Sequence, residues 1–248
     1  MPEPLLRAPP RGIRPEVRAP IVAIDGPAGA GKSTVARQLA RRLGFSIIDT
    51  GAIYRSVALA ALRAGIAWDD DRALGRLLAP GLVLSFAGDR VLLRGEDVTA
   101  AIRAPEISRG ASVVSARPVV RQNLLQLQRD LGRGAPHGAV LEGRDIGTVV
   151  FPDADVKFFL TASDEARAQR RHAELAEKGV DVPLSGVLAD QRQRDRDDTE
   201  RVLAPLRAAP DAVVIDTTGL DLTQVVERCY REASARLKHL ISGQPGQP

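Results

Sequence analysis

The chain has 248 residues, of which 44% are hydrophobic and only 3% aromatic; this suffices for one α/β domain with insertions and makes Leu, Val, Ile and Ala the expected core. No apolar run approaches the roughly 20 residues that cross a bilayer, and the Pro- and Arg-rich start has no apolar signal core, so a membrane partner and secretion are not expected. The single cysteine, Cys229, excludes a disulfide framework and points to a reducing, cytoplasmic setting, while a formal charge of +4 suits anionic partners without naming one.

Residues 1–19, with Pro2, Pro4, Pro9, Pro10 and Pro15 among arginines, are expected to be a disordered leader, and 241–248 a disordered tail. Ile21-Val22-Ala23-Ile24 is a short apolar strand. A Gly-rich turn follows, then a helix over Ser33–Leu43 whose Val35, Leu39 and Leu43 share a face. Phe45–Asp49 is a second strand and Tyr54–Ala64 a second helix. From Trp68 to Pro118 the pattern changes. Leu82–Phe86, a turn at Ala87-Gly88-Asp89 and Arg90–Leu93 make a hairpin, and Pro105 and Pro118 punctuate short helices. Residues 68–118 are therefore expected to be a small α/β insertion between the core segments 20–67 and 119–240. The alternation resumes with a helix over Val119–Leu131 and strands at Ala139–Leu141 and Val156–Leu160. Ser163 caps the next helix, with Asp164 and Glu165 in its first turn. A helix over Leu184–Asp197, a strand at Ala212–Ile215 and a helix over Leu222–Leu240 complete the chain. Short apolar strands alternating with helices imply a mostly parallel sheet covered on both faces.

Gly26-Pro27-Ala28-Gly29-Ala30-Gly31-Lys32-Ser33, followed by Thr34, fits the P-loop pattern GxxxxGK[ST], with a strand before it and a helix after it. Successive backbone N–H groups must turn inward on a polyphosphate, which a side chain at Gly29 or Gly31 would obstruct. The helix starting near Lys32 adds its positive end. Lys32 reaches the β- and γ-phosphates, and Ser33 offers a hydroxyl to Mg²⁺. The expected fold is therefore a three-layer P-loop α/β fold that binds a nucleoside triphosphate. GTPases, transport ATPases, helicases and small-molecule kinases all share that much, so other residues must discriminate.

Strand ends on the carboxyl edge of such a sheet open onto the ligand crevice. The second strand leads into Asp49-Thr50-Gly51-Ala52-Ile53-Tyr54-Arg55, where Thr50 is placed to cap the next helix and Arg55 to reach an acceptor phosphate. The third leads into Glu142-Gly143-Arg144-Asp145-Ile146-Gly147, where Gly143 and Gly147 permit a sharp turn and Glu142 stands where a carboxylate orients a Mg²⁺ shell through water. Arg167 and Arg171 lie one helical turn apart on one face, with Arg170 between them. Arg192, Arg194, Arg196 and Arg201 interleave with Asp195, Asp197 and Asp198. Two such helices flanking the loop from Ala176 to Ser185 make an Arg-rich lid, about 165–198, that closes over phosphates and expels water. A monophosphate acceptor, largely ionised already, needs cations more than a base. His137, His172 and His239 show no metal-ligand spacing.

IDGPAGAGKST, DTGAIYR, LEGRDIGTVVFPDA and RDRDDTERVLAPL occur in that order, and over about residues 20–240 the chain resembles the bacterial cytidylate kinases, a branch of the nucleoside-monophosphate kinases. The resemblance implies reversible transfer of the ATP γ-phosphoryl group to CMP or dCMP with Mg²⁺, and an enlarged monophosphate-binding insertion at 68–118. It implies that Thr50, Arg55 and Arg144 hold the CMP phosphate. Ser112, Arg121 and Asp145 would read cytosine, and Arg194, Asp198 and Arg201 would bind sugar and phosphates. Lys32, Arg144, Asp145, Arg167 and Arg171 are the expected catalytic set. Small-molecule nucleotides, not nucleic acid, are the expected partners, and a monomer the expected state. Thr50 replaces the serine of some relatives, and Glu142 stands where some have Asp. A shikimate, gluconate or adenylate kinase is the nearest alternative, and a nucleotide-dependent binding module the alternative of another class; so few aromatic residues weaken single-strand binding.

Overall fold

The computed structural model describes residues 18–88, 90–177 and 179–241. Residues 1–17 of the expected leader, 242–248 of the expected tail and Asp89 of the hairpin turn lie outside the described residues. In chain order the elements are β1 (Ile21–Asp25), α1 (Lys32–Leu43), β2 (Ser46–Asp49), α2 (Thr50–Arg63), α3 (Asp71–Leu78), β3 (Leu84–Ala87), β4 (Arg90–Leu93), β5 (Glu96–Asp97), α4 (Pro105–Ala116), α5 (Pro118–Arg133), β6 (Ala139–Gly143), β7 (Val156–Thr161), α6 (Asp164–Glu177), α7 (Leu184–Glu200), β8 (Val213–Asp216) and α8 (Leu222–Ile241). A wide helical turn spans Ile146–Val150 and a 3₁₀ turn Ala101–Arg103.

The central sheet is parallel throughout, in the order β2-β6-β1-β7-β8. Strand β1 runs down its middle, with Ile21 paired to Ala139 and Val22 to Val156. A strand buried on both faces must be apolar throughout. Ile21 to Ile24 obey that; the fifth residue, Asp25, is buried as well and does not. On one face Val22, Ile24 and Phe158 meet Val35 and Leu39 of α1 and Val225, Cys229 and Leu237 of α8. Burial pushes the Cys229 thiol up to about 12, so it packs as an inert apolar group. On the other face Ile21, Ala23 and Leu141 meet Phe151 and, from α5, Leu125 and Leu131.

A second, antiparallel sheet, β3-β4-β5, lies in the 68–118 region, with Leu84 paired to Leu93. Its apolar cluster is shared with the core segments. Ile53, Val57, Leu59 and Ala61 of α2 and Val120 and Leu124 of α5 pack with Leu74, Val91, Leu93, Ile102 and Val114. The region thus rests on α2 and α5 over one continuous core.

Helix α2 begins four residues before the expected Tyr54. The cap is Asp49, whose Oδ1 accepts from Ala52 N at 2.9 Å, so Thr50 is the first helical residue and not the cap. Its hydroxyl instead donates to the Glu142 carbonyl at 2.7 Å, tying α2 to β6. Ser163 does cap α6, accepting from Ala166 N at 3.2 Å. Gly143 and Gly147 do not adopt positive φ. Gly143 answers to space: a Cβ there would lie 2.8 Å from the Thr50 hydroxyl.

Candidate active site

Three neighbouring strands end in the loops that sequence reading singled out. Strand β1 leads into residues 26–31, β6 into Arg144-Asp145, and β2 into Asp49-Thr50. The cradle turns on Gly26, at φ 146°, where a Cβ would sit 2.0 Å from the Leu160 carbonyl oxygen, so the loop lies directly on β7. At Gly29 a Cβ would press on Gln191 of α7 and Arg167 of α6 at 2.8 and 3.0 Å, so those two helices fill that side. Gly31 is the N-cap of α1, whose first turn holds no acid, leaving the positive helix end free for an anion.

Lys32 is 6% exposed, and its Nζ donates to the Pro27 carbonyl at 2.7 Å. Burial, and then the Arg144 guanidinium, hold its ammonium well below the ordinary 10.5, against the pull of Glu142, Asp198 and Asp25. The exposed Ser33 hydrogen-bonds the Glu142 carboxyl, which burial and then Asp49 push above its ordinary value. Ser33, Glu142 and Asp49 thus bring a hydroxyl and two acids to the mouth of the cradle. Among the described residues no group of three or more His, Cys, Asp or Glu is placed to hold a metal. This donor set fits a hard cation that keeps most of its ligands as phosphate and water, which is how Mg²⁺ binds. Thr34 is exposed beside Ser33.

On the acceptor side Arg55 pairs with Asp49 at 2.7 Å, and its Nε is buried with no hydrogen-bond partner. Arg121 donates to the Ser115 carbonyl at 3.0 Å and to the Asp145 carboxylate, with its guanidinium 5.6 Å from the Tyr54 ring. Ser112 lies on α4 with its hydroxyl turned back to the Ser108 carbonyl at 3.4 Å. Arg144 bonds Asp198 of α7 at 2.8 Å, and Arg201 approaches the same carboxylate at 3.5 Å. Burial opposes the Asp198 charge, but Arg144 and Arg201 together hold its carboxyl below the ordinary value. Arg201 itself has Nε and Nη2 buried without a partner, and burial holds its guanidinium below the ordinary value. Arg194 is an exposed residue, yet desolvation in the cleft, and then Arg144, disfavour its charge.

Lys32, Arg144, Asp145, Arg194, Asp198 and Arg201 therefore come together, as do Arg121 and Asp145. Arg171 approaches Arg194 and pairs with Glu174 at 3.0 Å. Arg167 stands apart. It is 3% exposed and engaged on every side, by the Ala28 carbonyl at 2.9 Å, the Ala162 carbonyl at 3.1 Å, Asp164 at 2.6 Å and Asp195. It links the Ala28 carbonyl of the P-loop to Asp195 of α7. Sequence reasoning passed over Asp25, Tyr54 and Gln191. The signal for Asp25 was present: one acid closing an apolar strand.

A glycine-built turn into a helix N-terminus at one strand end, with a row of guanidiniums at the next, is an arrangement suited to phosphoryl transfer, and the fold is that of a P-loop phosphotransferase. Residues 22–235 match the family model described as Cytidylate kinase, and the chain belongs to that family. It is 53% identical over 219 residues to the cytidylate kinase of Syntrophotalea carbinolica, covering 87% of this chain and 92% of that one. Against the cytidylate kinase of Geobacter sulfurreducens the identity is 56% over 215 residues, covering 85% and 91%. It is also 48% identical over 239 residues to a bifunctional pantoate ligase/cytidylate kinase of a Synechococcus, covering 92% of this chain and 44% of that protein.

Proposed function

We propose that the protein transfers the γ-phosphoryl group of ATP reversibly to CMP or dCMP, giving ADP and CDP or dCDP. The carrying observation is the set of cations between the cradle and Asp145. Burial holds Lys32 and Arg201 below their ordinary pKa, desolvation and the neighbouring Arg144 disfavour the charge of the more exposed Arg194, and Arg201 keeps two buried donors without a partner. Such a set is disfavoured until anions enter it, and two phosphate groups that must approach each other supply them.

In this reading the 26–31 loop and the α1 amides hold the ATP phosphates, and Lys32 follows the migrating charge. Thr50, Arg55 and Arg144 hold the acceptor phosphate. Arg194, Asp198 and Arg201 close from the lid onto sugar and phosphate, and Arg171 reaches the same row. Ser33 and, through water, Glu142 would hold Mg²⁺, which would supply positive charge to offset that of the polyphosphate. Base choice falls to the Arg121–Asp145 fork with Ser112: the carboxylate accepts from the exocyclic amine of cytosine, and the guanidinium donates to the ring nitrogen or carbonyl. Uracil turns a carbonyl toward that carboxylate and leaves a buried group unpaired, a loss of about 1–3 kcal/mol.

No helix among the described residues is long and apolar enough to cross a membrane. A cytoplasmic monomer acting on small nucleotides is the setting this reading favours. A coupled ADP-release assay with Mg·ATP and CMP, dCMP, UMP, AMP or GMP in turn tests the reaction. Turnover is expected to be highest with CMP and dCMP; a folded, ATP-binding protein idle on all five would overturn it.

A further inference from the structure

Asp25 ends β1, is 4% exposed, and has entered the site so far only as one of the acids that support the Lys32 charge. Its Oδ1 accepts from the Ile146 amide at 2.8 Å and its Oδ2 from the Gly147 amide at 2.7 Å. Burial pushes the carboxyl up to about 6, while the two amides pull it back. Removing a carboxylate from water is costly unless its lone pairs are met, and here each oxygen meets an amide.

The two partners give the contact its meaning. The residue after Asp25 is Gly26, where the cradle starts, and the residues that Asp25 grips directly follow Asp145. One side chain thus joins the loop for the donor phosphates to the loop that carries Arg144 and Asp145, across 121 positions of sequence. The far end of the 146–150 turn is held separately, by Arg129 on the carbonyls of Val150 and Val149 at 2.9 and 3.2 Å. Arg121 holds the Asp145 carboxylate from the other side. Asp25 alone, among the described contacts, holds the two amides that begin the turn.

We propose that Asp25 is a positioning residue for acceptor-base selection: by gripping the Ile146 and Gly147 amides it sets the aim of Asp145 at the base, relative to the phosphate cradle. The proposal rests on the (d)CMP kinase reading. Asp25 acts through Asp145 and leaves the nucleotide to it.

Asp25→Asn keeps the side-chain shape but turns an amide NH₂ toward one of the two backbone donors. Steady-state kinetics with Mg·ATP and either CMP or UMP are compared for wild type and variant. The kcat/KM for CMP should fall about tenfold, the CMP/UMP ratio should narrow by about threefold or more, and KM for ATP should stay within about twofold. In an Asp145→Ala background, Asp25→Asn should leave the ratio unchanged, because the aim can be lost only once. A wild type idle on every monophosphate overturns the kinase reading itself. A wild type active on CMP, with a variant that loses CMP and UMP turnover equally or keeps wild-type selectivity, overturns the proposal alone. If Asp25→Asn does not fold, native-state hydrogen exchange on the wild type decides. Ile146 and Gly147 amides protected to the level of β6 sustain the proposal, and exchange at the rate of exposed loops overturns it.

Discussion

The phosphate cradle and the acceptor pocket lie side by side but are built on opposite plans. The cradle is one contiguous stretch, 26–34, and its working groups are backbone amides set by glycines and a helix end. The proposed acceptor pocket draws on side chains from α2, α5, the 144–145 loop and α7, with Ser112 of α4 assigned to it by the same proposal. A site of backbone fails when the chain path fails. A site of side chains fails piece by piece, and each piece has its own readout. Mutations should therefore abolish function on the first side and retune it on the second.

The largest effect is expected at Gly26. An alanine there needs its Cβ where the Leu160 carbonyl oxygen already lies 2.0 Å away, at a φ of 146° that side chains rarely adopt. The loop would have to leave β7, misdirecting several amides at once. Gly26→Ala should lower kcat/KM by about 10³ or more for every acceptor alike, beyond the 10²–10³ of losing a single oxyanion donor. ATP binding by titration calorimetry should weaken in parallel. A variant that binds ATP normally would mean the cradle tolerates the detour and the contrast with the acceptor pocket is overdrawn.

The second effect is selective. Asp145→Ala leaves Arg121 without its carboxylate and, in the proposed reading, the cytosine amine without an acceptor. The ratio of kcat/KM for CMP over UMP should narrow by about tenfold or more, with KM for ATP little changed. Equal loss on both pyrimidines would assign Asp145 to catalysis or packing instead.

This contrast also sets what could be read in the sequence. The cradle was legible because its pattern is local, and the parallel sheet because each strand is a short apolar run between helices. Arg144, Asp145, Arg194 and Asp198 were legible as residues worth attention, through strand-end placement and charge clustering, and the motif resemblance then gave them roles. Their partners were not, since the Arg144–Asp198 bond spans 54 positions and the Asp25–Ile146 bond 121. Thr50 was expected to cap α2, but two adjacent polar residues competed for the cap and Asp49, one residue earlier, took it. Arg167 shows the limit of helical periodicity. Its face is shared with Arg171, as the spacing requires, but only packing decides that one guanidinium is enclosed by carbonyls and acids while the other stays half open. The 68–118 region was legible as a hairpin with helices. Its shared core with α2 was not, because apolar residues do not name their partners.

That shared core carries the smallest of the predicted effects and the most indirect. Trp68, the one tryptophan of the chain, donates its indole N–H to the Ala58 carbonyl of α2 at 3.0 Å. Its ring packs against α4 at Gly110, where a Cβ would fall 2.4–2.8 Å from three ring atoms. Gly110→Ala gains up to about 1 kcal/mol of helix propensity, but the indole must shift, against an overpacking cost of about 1–3 kcal/mol. The net should be a loss of stability, seen as a lower Tm, with red-shifted tryptophan emission as the indole moves toward water. Since Tyr54, under the Arg121 guanidinium, belongs to the same apolar cluster, KM for CMP should rise more than KM for ATP. An unchanged Tm and emission would mean α4 yields freely. A lower Tm with both KM values unmoved would separate the core from the acceptor pocket that it supports.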